Sequence, residues 1–310
     1  MNDAGANRVG ANRTRTHVPT RHFRIGVVPI SLTTPIRPLM DEYASLYRAY
    51  ARADAGSSAI RLEVSRSPLS LRRRRRYRVA ANGRLQFEPS RFEEVLPYVE
   101  WTLNWHVPNL LPDCLQFHAS AVEVDGHGVI LPGESGVGKS TLTAGLLAGG
   151  ARYLCDEFAL VDTRTALLQP YPRALCIKKA AHPVIRELGL RLHGRRRHVK
   201  STKGTVGFLD PLSVRPNAIG RPAPVRFIIF PRYIPGADPA LVPISRAEAA
   251  FSLLPTCFNL LRCARPGVDM VASLVRSAAC YRLVAGDLSR TCTRVLALLR
   301  SETARSARTA

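Results

Sequence analysis

The stretch LPGESGVGKSTL, residues 131–142, decides how the chain is read. Gly133, Gly138, Lys139 and Ser140 fit the pattern G-x-x-x-x-G-K-[ST] without mismatch. That pattern carries meaning only between a strand and a helix. GVIL (128–131) is β-branched and apolar, as a buried strand is, and STLTAGLLAGG (140–150) suits a helix that Gly149 and Gly150 stop. Glycines in such a loop let successive backbone N–H groups converge on phosphate oxygens, and the helix N-terminus adds positive charge there. The expected phosphate-binding set is Gly133, Glu134, Ser135, Gly136, Val137, Gly138, Lys139, Ser140 and Thr141. Lys139 is expected on the β- and γ-phosphates, and Ser140 on Mg²⁺. The ligands this implies are ATP and Mg²⁺.

Outward from the loop, a phosphoryl-handling site needs acids that meet metal and nucleophile. Asp156 and Glu157 follow the apolar triplet Tyr153-Leu154-Cys155, at an expected strand end. Ligands of nucleotide-binding α/β folds sit at the carboxyl ends of strands. One acid is therefore expected to hold Mg²⁺ while the other accepts a proton. His118 falls in LQFHASAVEV (115–124), expected to be one strand, where a lone histidine is commonly a core residue.

The rest of the chain divides in two. FRIGVVPIS (23–31) reads as a strand, PLMDEYASLYRAYA (38–51) as a helix and AIRLEVSR (59–66) as a strand. YRVAANGRLQFEP (77–89) reads as a hairpin turning at Asn82-Gly83. Ser90 and Glu93 suggest a capping box for a helix over 91–107, with Trp101 and Trp105 sharing its buried face. These make a smaller α+β N-terminal domain over 22–112, after a tail over 1–21. A larger α/β domain follows over 113–302, with a frayed tail over 303–310. In it, RYLCDEFALVD (152–162) is a strand broken at the acids, ALLQPYPRALCIK (166–178) a hairpin, and VRFIIFPRY (225–233) a buried strand. The basic stretch 191–207 reads as a mobile active-site loop. Helices are expected over 245–254, 267–279 and 287–301, with a short strand over 281–286.

The bulk numbers narrow the class. The net charge is +22, from 45 Lys and Arg against 23 Asp and Glu, which favours anionic partners. Arg72–Arg76 is the sharpest basic run, but it lacks interleaved aromatics and no nucleic-acid signature accompanies it, so a solvated loop is expected and a nucleic-acid partner is not. No run of about 18 apolar residues suggests a membrane span. The seven cysteines include no C-x-x-C pair, which suits a reducing cytoplasm.

The spacing from His118 to Gly133, the loop GESGVGKS and the acids Asp156-Glu157 together resemble the catalytic domain of HPr kinase/phosphorylase. EWTLNW (100–105), CDEFALVD (155–162), PRALCIK (172–178) and TKGTVGF (202–208) extend this to the HPr kinase-related group, often encoded beside peptide-modification genes including lasso-peptide clusters. The resemblance implies a P-loop α/β fold of the HPr kinase/PEP carboxykinase type. It implies a cytoplasmic kinase acting on a hydroxyl, a serine of a peptide or small protein, with a lasso-peptide precursor as the specific case. His118, Lys139, Asp156 and Glu157 would be catalytic, with Glu157 at the family's catalytic aspartate and Asp156 with Ser140 at the metal. Lys178 and Lys203 would clamp phosphate or substrate. The family enzyme forms rings, so a homo-oligomer is expected. The family's downstream glycine-rich signature and its N-terminal domain have no counterpart here, which argues against HPr as substrate and against reverse phosphorolysis. Two other readings stay open at this point: a nucleotide-dependent switch or NTPase that binds an anionic partner, and a small-molecule kinase.

Overall fold

The computed structural model describes residues 18–53, 59–67, 77–201 and 203–309. The Arg72–Arg76 run and most of the expected N-terminal tail lie outside them. In chain order the first part comprises β1 (Thr20–Ile25), β2 (Val28–Thr33), α1 (Arg37–Leu46), β3 (Ala51–Arg52), β4 (Ile60–Arg66), β5 (Tyr77–Ala81), β6 (Arg84–Phe87) and α2 (Phe92–Leu110). Then come β7 (Cys114–Phe117), β8 (Ala119–Val124), β9 (His127–Pro132), α3 (Lys139–Ala148), β10 (Arg152–Cys155), β11 (Ala159–Asp162), β12 (Leu167–Gln169), β13 (Leu175–Lys178) and α4 (His182–Glu187). The last part holds β14 (His198–Lys200), β15 (Gly204–Leu209), β16 (Ala223–Tyr233), β17 (Ala240–Pro243), α5 (Arg246–Leu253), α6 (Leu260–Ser277), β18 (Ala279–Ala285) and α7 (Leu288–Thr309).

Among the described residues the strands form three sheets, so the fold is mixed α/β. The first has six strands in the order β3-β1-β2-β4-β5-β6. The second has nine, running β10-β8-β9-β16-β12-β11-β7 with β18 beside β16 and β17 beside β18. The third is β13-β15-β14. In the large sheet β9 and β18 flank β16 in parallel, and β10 is antiparallel to β8, itself antiparallel to β9. β9, β10, β16, β18 and, through β12, β11 therefore point one way, and the carboxyl ends of β9, β10, β16 and β18 open on one side of the sheet.

Several expectations change. FRIGVVPIS is a hairpin of β1 and β2 with Gly26 at φ 58°, not one strand. The Asn82-Gly83 turn is as expected, with φ 51° and 77°. The α2 cap shifts by one residue: Glu94, not Glu93, accepts the N–H groups of Ser90 (2.9 Å) and Arg91 (3.2 Å). Trp101 stacks on Phe87 at 5.2 Å, but Trp105 is 60% exposed, so the two do not share the core. LQFHASAVEV is two strands, because β7 pairs with β11 while β8 pairs with β9 and β10. ALLQPYPRALCIK is no hairpin, since β12 joins the large sheet and β13 the small one. Within the expected loop 191–207, β14 and β15 pair, and the buried His198 meets Glu42 of α1 at 3.0 Å. α6 begins at Leu260 with Pro266 inside it, and α7 runs on to Thr309, through most of the expected tail.

One core cluster joins Phe23, Tyr43 and Leu103 of the first part to Phe117, Tyr171 and Ile228 of the second. A second cluster lies around α3 and α7, including Leu146, Leu283 and Val295. No helix among the described residues is long and apolar enough to cross a membrane.

Candidate functional site

β9, β10, β16 and β18 end at a cleft of about 520 Å³, within the range of small-molecule sites. Its floor is the turn between β9 and α3. Gly133, Gly136 and Gly138 hold φ of 148°, 109° and 97°, conformations that a side chain strains. Gly138 caps α3 in the left-handed region, so the chain turns sharply into the helix and leaves its first N–H groups facing the cleft.

Lys139 opens the helix and is 7% exposed. Its ammonium donates to the carbonyls of Gly133 and Glu134, the latter at 2.8 Å. Burial lowers its pKa, against the raising effect of Asp156 and Glu157.

Asp156 follows β10 and is 4% exposed. Its carboxylate accepts from Ser120 of β8 and from Ser140 at 2.8 Å. Burial, then the neighbouring Glu157 charge, raise its pKa, and the two hydroxyls and Lys139 oppose them. Glu157 sits in the break between β10 and β11 with φ 88°. Its carboxylate lies 3.5 Å from His118 Nε2 and 3.7 Å from Lys203 Nζ. Burial disfavours its charge, but His118, Lys203 and Lys200 outweigh that and hold the carboxyl well below the usual range. The two acids thus stand in opposite electrostatic settings, one paired by hydroxyls and the other by cations.

His118 occupies the gap between β7 and β8. Its N–H donates to Thr256 at 2.7 Å, and its carbonyl accepts from Gly133 at 3.4 Å. The ring packs on Phe258 at 5.6 Å and borders the cleft. Of the residues expected from sequence, Ser135 to Thr141, His118, Asp156, Glu157, Lys178 and Lys203 all line this cleft. Gly133 and Glu134 do not line it and instead receive the Lys139 ammonium through their carbonyls. Lys178 ends β13 across from Gly136.

Two groups escaped the sequence reading. Ser120 was within reach of it, because it stands two residues after His118 and so on the same side of an extended chain. Lys200 was not: it lies in a basic stretch without a period, and its burial comes from long-range packing, with its ammonium over the Trp101 ring of α2 at 5.5 Å.

No family model matches the chain, and no curated protein matches it. Among solved structures the chain is similar to the HPr(Ser) kinase/phosphatase from Coxiella burnetii, at 14% identity and a TM-score of 0.32, over 62% of this chain and 98% of that one. The relationship is a distant structural one.

Proposed function

We propose that the chain is an ATP- and Mg²⁺-dependent kinase that moves the γ-phosphoryl group to a hydroxyl, a serine of a peptide or small protein. A lasso-peptide precursor is the specific acceptor we favour, and the cytoplasm the setting. The observation that carries this reading is the meeting of the glycine-rich turn, Lys139 and the oppositely tuned acids Asp156 and Glu157 in one cleft.

The residues present fit the two implied ligands. Ser140 and Asp156 offer adjacent hard oxygens, and Mg²⁺ commonly takes one or two protein oxygens and completes its shell with phosphate and water. Bound there, the ion would neutralise charge on the phosphates. The Lys139 ammonium is already aimed at the turn and would move from its carbonyl partners to the β/γ-phosphate oxygens. The N–H groups at the head of α3 would meet the same oxygens. Glu157 stays ionised across the working pH range and takes the acceptor's proton as its oxygen joins phosphorus and the bond to ADP breaks. With so low a pKa it accepts that proton late, which suits a loose phosphoryl-transfer transition state that needs positioning more than basicity. His118 and Lys203 hold this carboxylate from two sides.

The test is incubation with γ-labelled ATP, Mg²⁺ and a serine peptide, read by mass spectrometry. Lys139→Ala and Glu157→Gln are expected to stay folded, and Glu157→Gln to lose about 100- to 10,000-fold in kcat. Wild-type turnover in Glu157→Gln would remove the proposed proton acceptor. Label in free phosphate or a metabolite alone would favour the switch or the small-molecule reading.

A further inference from the structure

β7 ends the run of the nine-stranded sheet, and the segment between α5 and α6 closes its edge. Cys257 bridges Phe117, the His118 N–H donates to the Thr256 carbonyl at 2.7 Å, and the Phe258 N–H donates to the Gln116 carbonyl at 2.8 Å. The buried Asn259 locks the segment further: its side chain accepts from the Gln116 N–H at 3.0 Å and donates to the Cys114 carbonyl at 2.8 Å. An edge covered in this way offers no ladder to another strand. It offers a side chain instead. Phe258 is held at its backbone and packs on His118 and Phe158, with ring centroids 5.6 and 5.2 Å away, yet it is 53% exposed.

Phe258 has exposed apolar company. Three residues on, at the head of α6, Leu261 is 96% exposed. Arg262 beside it donates to Asn109 of α2 at 3.0 Å, one turn beyond the exposed Trp105. Arg265 lies on the same helix and meets Asp269 at a loose 3.9 Å. Apolar residues scattered singly over a surface are ordinary, whereas a group of them rimmed by charge marks an interaction site. His118 ties this face to the cleft, since its Nε2 lies 3.5 Å from the Glu157 carboxylate while its ring packs on Phe258. An extended chain advances about 3.4 Å per residue. A peptide with its serine at Glu157 therefore has its neighbouring side chains within reach of Phe258.

We propose that Phe258 and Leu261, rimmed by Arg262 and Arg265, seat a bulky apolar side chain of an acidic acceptor peptide, close to the serine that receives phosphate. The inference deepens the kinase reading and rests on it for the identity of the occupant. Two observations choose a peptide over a second copy of this chain. The face continues into the cleft through His118, where an acceptor has to arrive. The rim is cationic on a chain of net charge +22, so two copies repel each other while an acidic peptide is drawn in.

The test uses the full chain and fluorescein-labelled acidic serine peptides, in pairs that carry phenylalanine or alanine in turn at the nearest positions on either side of the serine. Fluorescence anisotropy without nucleotide is expected to show the phenylalanine peptide binding about tenfold tighter at its best position. Leu261→Ser and Phe258→Ala each erase that preference, and Arg265→Gln weakens both peptides alike, by about two- to fivefold. With ATP and Mg²⁺, Leu261→Ser raises KM for the phenylalanine peptide about tenfold, while kcat and KM for ATP hold within about twofold. Phe258 touches His118, so Leu261→Ser, at an almost fully exposed position, decides between docking and damage to the site. Equal affinity for both peptides at every position overturns the proposal, and so does a preference undiminished in Leu261→Ser. A wild-type chain that light scattering finds dimeric and that Leu261→Ser makes monomeric gives the face to a second copy and overturns it too. Binding of the phenylalanine peptide with no label transferred to any serine overturns the kinase reading instead, and the affinities still decide on the docking face.

Discussion

At φ 88° the Glu157 backbone stands in the left-handed region, which costs a residue with a Cβ about 1–2 kcal/mol. Such strain persists where the surroundings hold a side chain in one place, and here they are His118, Lys203 and the two flanking strands. Glu157→Gly and Glu157→Ala both delete the carboxylate, but only glycine relaxes at this angle. Urea unfolding is therefore expected to find the glycine variant more stable than the alanine one by about 1 kcal/mol; equal midpoints would mean the backbone is not strained. The acids themselves were legible, because an apolar triplet before them and an apolar run after them mark a strand interrupted by charge. The strain was not legible, since a positive φ at glutamate leaves no trace in composition.

Between elements, a buried polar join ties α2 to the segment that leads into β13. Arg173, just before β13, is buried against Glu100, and Tyr47 donates to the same carboxylate at 2.9 Å. Breaking such a pair strands a charge. Arg173→Met alone is expected to cost about 3–5 kcal/mol in urea unfolding, and Glu100→Leu added to it to recover part of that loss. A double variant no more stable than the single one would show that packing, not charge, dominates there. The elements most readily read from sequence were those with one wet face, such as β4, whose alternation survives in its burial. β8 is buried along its whole length, so its pattern carried no mark of where β7 ends. The partner of a strand is a long-range fact: β12 and β13 lie five residues apart, yet Pro170, Pro172 and the pull of Arg173 toward α2 send them to different sheets.

Across the whole molecule, the first core cluster runs without interruption from the six-stranded sheet into the nine-stranded one. The proposed division at residues 112 and 113 therefore crosses shared apolar packing as well as the Glu100–Arg173 pair. Both tryptophans lie on α2, so their fluorescence reports the N-terminal layer while far-UV circular dichroism reports the entire fold. The two denaturation midpoints are expected to coincide, and a separate fluorescence transition would show the layers to be independent. The glycine-rich turn and its acids could be read directly from sequence because their chemistry is local. That Asp156 and Glu157 back onto α2 through a small separate cavity walled by Pro97, Glu100 and Asn104 could not be read, because the contact joins residues far apart along the chain.

The grip of Lys139 on its own turn has a consequence for discrimination among anions. Any visitor must first evict two peptide oxygens from that ammonium. A lone chloride or sulfate has little with which to compensate the exchange. A polyphosphate tail meets several amides at once, so the turn is sheathed against small salts and opens to the longer, more highly charged guest.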